Sequence, residues 1–322
     1  MTIGILYESK EWSTYALRDR IAEVGVPVKL FDLQERLDPD ELLSCGLIVN
    51  RIFASAVFRG HQKSLDQMPA VLELLEKHGV PLINPAEAHY YETSKTRAKE
   101  ALAAHGFSVP KLYGSFYPAQ WTKGDVNTEG TVLFMFKNTK GTVPSVSDVL
   151  QTQGTSPFVF EYPCIVKPDC GGRTTHTFIV HDRQELSDAM KDAPGVCFIA
   201  EEYILPEKGY VTRLEIIGGE IRLALKRGVA ANGLSAYHLG SEYDFYEDLP
   251  DEIADTAIRA TELLSIEAGS MDIIENDTGF YIIDANSVSN ASEDNTEMFN
   301  FDLMKETAAY AVKRYNTVVI LQ

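Results

Sequence analysis

The sequence predicts a mixed α/β (α+β) fold that begins with a small parallel sheet. Three observations support this prediction. Up to residue 84, strand-like runs at 2–7, 26–31, 46–50 and 81–84 alternate with helical patterns at 12–24 and 60–78. Gly25 and Gly79 directly follow the two helical patterns, as is common where a helix gives way to a strand. From residue 163 onward strands predominate. Alternation of this kind predicts a parallel sheet flanked by helices.

The later elements follow from the same patterns. Helices are predicted at 85–91, 93–105, 182–191, 250–264 and 301–315, and strands at 131–137, 163–168, 177–180, 197–203, 210–217, 220–227, 270–274 and 280–286. Asp182 and Glu185 have the spacing of a capping box. The polar stretch 138–156 is predicted to be a long loop around a short helix. We expect an N-terminal domain at 1–88, a central domain at 89–200 and a C-terminal domain at 201–322.

Composition excludes several classes of protein. Hydrophobic residues make up 45% of the 322 residues and charged residues 24%, which is ordinary for a folded chain. No apolar run reaches the roughly 18 residues of a membrane span, and the first residues resemble a strand rather than a signal peptide, so we expect a cytoplasmic protein. A net charge of −18 disfavours nucleic acid and anionic membranes as partners. The four cysteines lack C-x-x-C or zinc spacing and are interpreted as ordinary thiols.

A lysine and a glycine loop form the first chemical motif. Lys167 ends an apolar strand, and Gly171 and Gly172 lie in the loop that follows. A cation beside a loop of backbone N–H groups suits phosphate. The alternatives are a lysine that extends to solvent and a loop that is only a turn.

A predicted hairpin carries oxygen ligands. If residues 275–279 form a five-residue turn, Ile274 pairs with Phe280, and the side chains of Asp272, Ile282, Asp284 and Asn286 project from one face. Oxygen-bearing groups gathered on such a face suit Mg²⁺ bound together with phosphate. The alternative is a solvated polar face.

The strand at 197–203 ends in acidic and then apolar residues, Glu201, Glu202, Tyr203 and Ile204. An apolar slot with backbone hydrogen-bonding groups suits a purine, and a glutamate suits ribose hydroxyls. A strand that runs into a surface turn is the alternative.

Taken in order, these segments resemble the ATP-grasp superfamily, and within it the RimK-like carboxylate–amine ligases. The resemblance covers nearly the whole chain and includes Asn50-Arg51-Ile52, Ser94-Lys95-Thr96, Ile165-Val166-Lys167-Pro168, Glu201-Glu202-Tyr203-Ile204, Met271-Asp272-Ile273 and Asp284-Ala285-Asn286. It implies an ATP-grasp fold, in which the N-terminal domain precedes two subdomains that clasp ATP.

The resemblance also implies roles for individual residues. The phosphates of ATP are assigned to Lys95, Lys167, Gly171 and Gly172; adenine and ribose to Glu201, Glu202, Tyr203, Ile204 and Glu207; Mg²⁺, or Mn²⁺ in its place, to Asp272, Asp284 and Asn286; the transferred phosphoryl group to Arg227 with Lys167; and the substrate to Arg51, Arg213 and Ser287. For the charged residues a surface position is the alternative, and for Arg51 an ion pair between domains.

Several positions depart from the family pattern. Asp284 stands where the family usually has Glu, and Ser287-Val288-Ser289-Asn290 replaces a small-Pro-Gly run. An acidic residue that is common at the position of Val211 is missing, which makes Glu207 the candidate for ribose. These changes concern the substrate more than the nucleotide.

The resemblance implies an ADP-forming ligase that joins a small-molecule carboxylate to an amine through an acylphosphate, with a homodimer as a frequent assembly. Two alternatives remain. One is a nucleotide-binding regulatory module without ligase activity. The other is a ligase whose acceptor is a peptide or protein tail, for which the 138–156 stretch is a candidate docking loop.

Overall fold

The computed structural model describes residues 1–122, 160–236, 240–289 and 291–321. Across these ranges the chain forms three sheets, and the mixed α/β prediction is confirmed. The predicted strand at 131–137 and the predicted loop at 138–156 lie outside the described residues. Within the described ranges, no helix is both long and apolar enough to cross a membrane.

The first sheet is parallel, with strand order β2-β1-β3-β4, as the alternation predicts. Its strands are β1 (Thr2–Tyr7), β2 (Val28–Asp32), β3 (Cys45–Asn50) and β4 (Leu82–Ile83). Its flanking elements are α1 (Trp12–Glu23), α2 (Pro39–Leu43), α3 (Gln62–Lys77) and a 3₁₀ turn at Ala54–Phe58. The inner strands β1 and β3 read as nearly continuous apolar runs because both faces of the sheet are covered there.

The C-terminal helix, Leu303–Leu321 (α10), returns to this N-terminal sheet. Met304 and Ala308 of α10 pack with Leu17 of α1 and with Ile3 and Val49 of the strands. Ile217 from the last sheet joins the same core. The first and last parts of the chain therefore share one hydrophobic core.

The second sheet is antiparallel, with order β5-β8-β6-β7. Before it come α4 (Ala86–Glu92) and α5 (Lys95–Ala104); its own elements are β5 (Leu112–Phe116), α6 (Pro118–Thr122), β6 (Cys164–Pro168), β7 (Phe178–Val180), α7 (Arg183–Lys191) and β8 (Phe198–Glu202). Phe116, Trp121, Val166 and Phe198 form its core.

The capping box predicted at α7 is half formed. The Asp182 side chain accepts from the backbone N–H of Glu185 at 2.9 Å, as predicted. The Glu185 carboxylate accepts instead from the backbone N–H of His181 at 2.8 Å, so the reciprocal bond to residue 182 is not made.

The third sheet is antiparallel, with order β11-β10-β9-β12-β13. It consists of β9 (Tyr210–Ile217), β10 (Glu220–Gly228), β11 (Tyr243–Phe245), β12 (Ala268–Asn276) and β13 (Gly279–Asn286), with helices α8 (Asp251–Leu263) and α9 (Glu293–Phe299). One face of this sheet is covered by α8 and by α5, whose residues Ala98 and Leu102 join the core.

The predicted hairpin register is wrong in two respects. Asn276 pairs with Gly279, so the turn is two residues long rather than five, and Glu275 rather than Ile274 is opposite Phe280. The register then shifts between Asp272 and Ile273, which places Asp272 opposite Asp284. Because of this irregularity Ile282 packs in the core on the helix-covered face, whereas Ile283 packs with Ile274 on the other. Ile282 therefore does not share a face with the acidic groups.

Candidate functional site

Three lysines and two carboxylates meet where the central and C-terminal sheets face each other. Lys95 and Lys99 come from α5, Lys167 from the end of β6, Glu201 from β8 and Asp284 from β13. Four of the five were predicted as site residues. Their meeting depends on four separate segments of the chain, α5, β6, β8 and β13.

Glu201 is the buried anion of this cluster. Its side chain is 1% exposed, and its two oxygens lie 2.6 Å from Lys167 Nζ and 3.2 Å from Lys99 Nζ. Both lysines also donate to the main-chain oxygen of Ile283, Lys99 at 3.0 Å and Lys167 at 3.4 Å. Such a buried carboxylate is tolerated only when it is paired, and here two cations pair with it.

Lys95 and Asp284 form the more open half of the cluster. Lys95 Nζ lies 3.2 Å from Asp284 Oδ1 and donates to Gly171 O at 3.1 Å. Burial alone would raise the pKa of Asp284, but Lys95, Lys167 and Lys99 together lower this pKa to about 2. Asp284 is therefore ionised at neutral pH.

The same environment affects the lysines differently. Burial lowers the pKa of Lys99 to about 8, because Glu201 compensates only in part. Burial also opposes the charge on Lys95, but the carboxylates of Asp284 and Glu92 outweigh it and raise the pKa of Lys95. Ammonium groups held in this way suit the oxygens of a polyphosphate.

Asp169 positions the helix that carries two of these lysines. Its carboxylate accepts from Ser94 Oγ and from the backbone N–H of Thr96, both at 2.8 Å, and its main-chain oxygen accepts from Lys95 N at 3.0 Å. Ser94 in turn caps the helix by accepting from Arg97 N at 3.2 Å. The start of α5 is thereby joined to the loop that follows Lys167.

The glycine loop lies against the N-terminal domain. A Cβ atom on Gly171 would lie 2.8 Å from the Phe58 ring, and one on Gly172 would lie 3.6 Å from Ser55 Cβ. Cys170 Sγ also contacts Ala54 O at 3.6 Å. Gly171 is therefore required by close approach, a reason that a two-glycine motif does not reveal.

The proposed metal ligands gather at one end of the hairpin. Asp272 is opposite Asp284, and Asn286 is opposite Ser270. Asp272 also lies 3.2 Å from Arg213 and 2.9 Å from Arg227. Among the residues that the structure describes, no three His, Cys, Asp or Glu side chains form a metal-holding group. Two carboxylates and an amide oxygen nevertheless fit Mg²⁺, which is usually bound by one or two carboxylates with phosphate and water.

An apolar cluster lies beside these groups. Ile204, Val211 and Ile274 are buried together, with Tyr281 and Ile283 packed against them. Tyr203 is half-buried, and its hydroxyl would lie 3.2 Å from a Cβ on Gly233. Ile204 is the member of this cluster that the sequence assigns to a purine, and its contact with a base stays a prediction.

Two glutamates of the predicted nucleotide set have protein partners. The carboxylate of Glu202 accepts from Lys111 N at 3.1 Å. That of Glu207 accepts from Asp277 N, also at 3.1 Å, in the turn between β12 and β13. Both carboxylates keep a second oxygen, so their contacts with adenine and ribose stay predictions.

Of the predicted substrate residues, Arg51 and Ser287 line one small cavity, whereas Arg213 lies on β9. Arg51 is buried and donates to Ser13 Oγ at 2.9 Å, and Arg213 bridges Asp272 and Glu215. Ser287 follows β13 and is held by Glu92, which accepts from its backbone N–H at 2.7 Å and from its hydroxyl at 3.1 Å.

Sequence reasoning missed Lys99, Glu92 and Asp169. Lys99 had a usable signal, since it lies four residues after Lys95 and therefore on the same helix face. Glu92 and Asp169 had none. Their partners, Ser287 and Ser94, are 195 and 75 residues away in the sequence.

Comparison with known proteins agrees with this arrangement. A family model described as a RimK-like ATP-grasp domain matches residues 143–310. A D-alanine–D-alanine ligase from Pediococcus pentosaceus is 33% identical over 141 residues, which cover 40% of this chain and 39% of that ligase. The match thus spans well under half the length of that relative.

Two further matches extend over almost the whole chain. A probable alpha-L-glutamate ligase from Aliivibrio fischeri is 22% identical over 96% of this chain and 97% of its own. The structure of the ATP-grasp ligase PsnB with minimal precursor, Mg and ADP superposes with a TM-score of 0.60 at 15% identity, covering 98% of each chain. At this identity the structural likeness establishes the fold.

Proposed function

Because the chain belongs to the RimK-like ATP-grasp family, we propose that it is an ATP-dependent carbon–nitrogen ligase that joins a carboxylate to an amine. The reaction passes through an acylphosphate and releases ADP and phosphate. The observation that supports this most directly is the convergence of Lys95, Lys99 and Lys167 beside Asp284. Full-length relatives named as glutamate ligases, and a partial relative named as a D-alanine–D-alanine ligase, support the same reaction class.

In this proposal the lysines hold the phosphates of ATP. Lys95 and Lys167 replace part of their present contacts with phosphate oxygens, and Lys99 keeps Glu201 neutralised beneath them. The substrate carboxylate attacks the γ-phosphorus and displaces ADP. The amine then attacks the carbonyl carbon of the acylphosphate, displaces phosphate and gives up a proton to water, so the reaction needs no enzyme nucleophile. Catalysis then consists of positioning and charge neutralisation.

Asp272, Asp284 and Asn286 would hold Mg²⁺, or Mn²⁺ in its place. When bound, such an ion neutralises charge on the β- and γ-phosphates. Arg227 lies 2.9 Å from Asp272 and is therefore at hand for the transferred phosphoryl group. Arg213 keeps the buried carboxylate of Asp272 paired from the other side.

The nucleotide base is assigned to the apolar cluster around Ile204, with Tyr203 and the backbone after Glu201 and Glu202 at its edge, and the ribose to Glu207. Gly171 and Gly172 supply backbone N–H groups above the phosphates. A location in the cytoplasm and assembly as a homodimer stay predictions of the sequence.

The acceptor defines a second candidate. The structure of PsnB was solved with a precursor peptide, so a peptide acceptor is also a candidate for this chain. Paired assays of free amino acids and of short peptides distinguish the two, because a strict requirement for peptide identifies a peptide ligase. A regulatory nucleotide-binding module would instead be stabilised by Mg-ATP without releasing phosphate under any condition.

The test of the proposal is product analysis. ATP turnover to ADP and phosphate should require an acid and an amine together, and mass measurement should show an amide. Asp284→Ala and Asn286→Ala should abolish this turnover while the protein remains folded, and Lys167→Ala should weaken nucleotide binding. Release of AMP and pyrophosphate would refute the proposal. Turnover at the wild-type rate in both Asp284→Ala and Asn286→Ala would also refute it.

A further inference from the structure

The residue that follows the proposed metal ligand Asn286 is held by the protein at each of its polar groups. Ser287 lies directly after β13 and is buried. Its backbone N–H and its hydroxyl donate to one carboxylate oxygen of Glu92, at 2.7 and 3.1 Å. Its main-chain oxygen accepts from the side-chain amide of Asn84. Ser287 is therefore fixed through its N–H, its hydroxyl and its carbonyl group.

Glu92 joins Ser287 to the N-terminal domain. It is the last residue of α4 and is buried. Its second carboxylate oxygen accepts from the backbone N–H of Ala54 at 3.1 Å, at the start of the 3₁₀ turn. An ionised carboxylate only accepts hydrogen bonds, so Glu92 satisfies three donors at once. A glutamine of the same shape would direct N–H groups toward some of these donors, which would leave buried donors without an acceptor.

Asn84 makes the matching contacts on the other side. It directly follows β4 and has a φ of 59°, in the left-handed region that asparagine and aspartate adopt more readily than most residues. Its side-chain oxygen accepts from the backbone N–H groups of Glu267 and Ala268, at 2.9 and 3.1 Å. Its amide nitrogen donates to Ala268 O at 2.9 Å and to Ser287 O. One side chain thus connects the start of β12 to the residue after β13.

The backbone at this point is closely packed. A Cβ atom on Gly269 would lie 2.2 Å from Asn286 O and 3.1 Å from Ser287 Cα. Asn286 is the last residue of β13 and pairs with Ser270. The end of a strand frays easily when only the ladder holds it. The contacts of Ser287 therefore add the constraint that keeps Asn286 in one place.

We propose that Glu92 and Asn84 are positioning residues for the metal site, and that Ser287 anchors this site instead of binding substrate. The inference rests on the proposed function, because it takes Asn286 as a ligand of Mg²⁺. Groups that hold a metal ligand from behind orient it, and their loss typically weakens metal binding by about 10–100-fold. Ser287 also begins the run that departs from the family pattern, and Glu92 is the partner of its hydroxyl.

The test measures nucleotide binding without turnover. Isothermal titration gives the dissociation constant of the full chain for ADP in EDTA and for Mg-ADP. The first constant divided by the second is the metal ratio, which reports how much the ion contributes to binding. We expect a metal ratio of at least about ten for wild type, and Glu92→Gln should lower this ratio about tenfold. Metal-free ADP should bind equally or more tightly, because the negative charge of Glu92 competes with phosphate for Lys95.

Two milder variants test the same contacts separately. Asn84→Asp suits the left-handed backbone and keeps the accepted bonds, but its carboxylate repels the oxygens of Ala268 and Ser287. It should also lower the metal ratio about tenfold. Ser287→Ala removes one hydrogen bond, so it should lower the ratio by less, and it should have almost no effect in a Glu92→Gln background because its partner is already altered. These variants provide the test if Glu92→Gln does not fold.

The matched control is Glu275→Gln. Glu275 is a buried carboxylate of β12 that accepts from Thr212 Oγ1 at 2.6 Å and from Lys208 Nζ at 2.8 Å. It lies near the turn of the hairpin, at the opposite end from Asn286. This variant should lower the unfolding temperature, as Glu92→Gln should, but it should keep the wild-type metal ratio. Loss of stability is thereby separated from loss of the metal site.

The outcomes distinguish this inference from the proposed function. Equal binding of ADP and Mg-ADP by wild type would overturn the metal assignment and this inference with it. A metal ratio above one in wild type that is unchanged in Glu92→Gln and Asn84→Asp would overturn this inference alone. A raised KM for the acid or the amine in Ser287→Ala, with the wild-type metal ratio, would return Ser287 to the substrate. None of these measurements of the metal ratio requires ligase turnover.

Discussion

Substitution of Glu201 by Gln tests the buried ion cluster most directly. The carboxylate is 1% exposed and lies 2.6 Å from Lys167 and 3.2 Å from Lys99. At an effective dielectric constant of about 20, these separations correspond to gross attractions of about 6 and about 5 kcal/mol. Desolvation of the carboxylate offsets much of this. Removal of one partner from a buried pair typically costs about 3–5 kcal/mol, because it leaves unpaired charge behind.

The assay should report on the central sheet alone, because a chain with several sheets need not unfold in one step. The protein has two tryptophans, and Trp121 is buried in the core of the sheet that contains Glu201. In a Trp12→Phe background, Trp121 fluorescence therefore follows this sheet during urea unfolding. We expect Glu201→Gln to lower the unfolding free energy by about 3–5 kcal/mol, which moves the urea midpoint by more than about 1 M.

The control is Glu202→Gln in the same background. Glu202 is the neighbouring residue, and its carboxylate accepts a hydrogen bond from Lys111 N at the surface. Glu202→Gln should lower the unfolding free energy by no more than about 1 kcal/mol. If Glu201→Gln changed the free energy as little as this control does, the cluster would not depend on its carboxylate, and the reasoning would be wrong.

Three other perturbations have defined outcomes. Asp169→Ala should lower the unfolding free energy by about 1–2 kcal/mol and also weaken Mg-ADP binding. Asp182→Ala, which removes the cap of α7, should lower the unfolding free energy by a similar amount but leave the affinity for Mg-ADP unchanged. Burial lowers the pKa of His89 to about 4, so as the pH falls below about 6.5 the unfolded chain takes up a proton that the folded chain does not. The unfolding free energy should therefore fall by up to about 3 kcal/mol between about pH 6.5 and 4. Unfolding of wild type and of His89→Gln, compared across that pH range, checks this. Gly269→Ala would place a Cβ 2.2 Å from the main-chain oxygen at the end of β13, so it should lower both the unfolding temperature and turnover, while Gly195→Ala, with open space around it, should change neither.

Much of the fold could be predicted from local patterns. The parallel N-terminal sheet follows from apolar runs that alternate with helices ended by glycine, and the observed strands differ from the predicted ones by only a few residues at their ends. The short elements α2, β5, α6, β11, α9 and the 3₁₀ turn were not predicted. They contain only three to seven residues each, and so short a segment carries no clear periodicity.

The hairpin shows where local reasoning fails. Alternation correctly indicated that Asp272 and Asp284 belong together, but the register could not be read from it. A two-residue turn and an irregularity near Ile273 are both compatible with the same apolar pattern, and only pairing with β9 and packing on α5 and α8 select between registers. Ile282 was misplaced for this reason.

By itself, the sequence determined the chemical inventory of this protein: which strands end in lysine, glutamate or aspartate, and in what order along the chain. Only the tertiary structure decided that Lys99 shares Glu201 with Lys167 and that Asp169 fixes the start of α5. The physical reason is that local pattern reflects the periodicity of one element, whereas the pairing of buried charges depends on which elements pack together, often more than seventy residues apart.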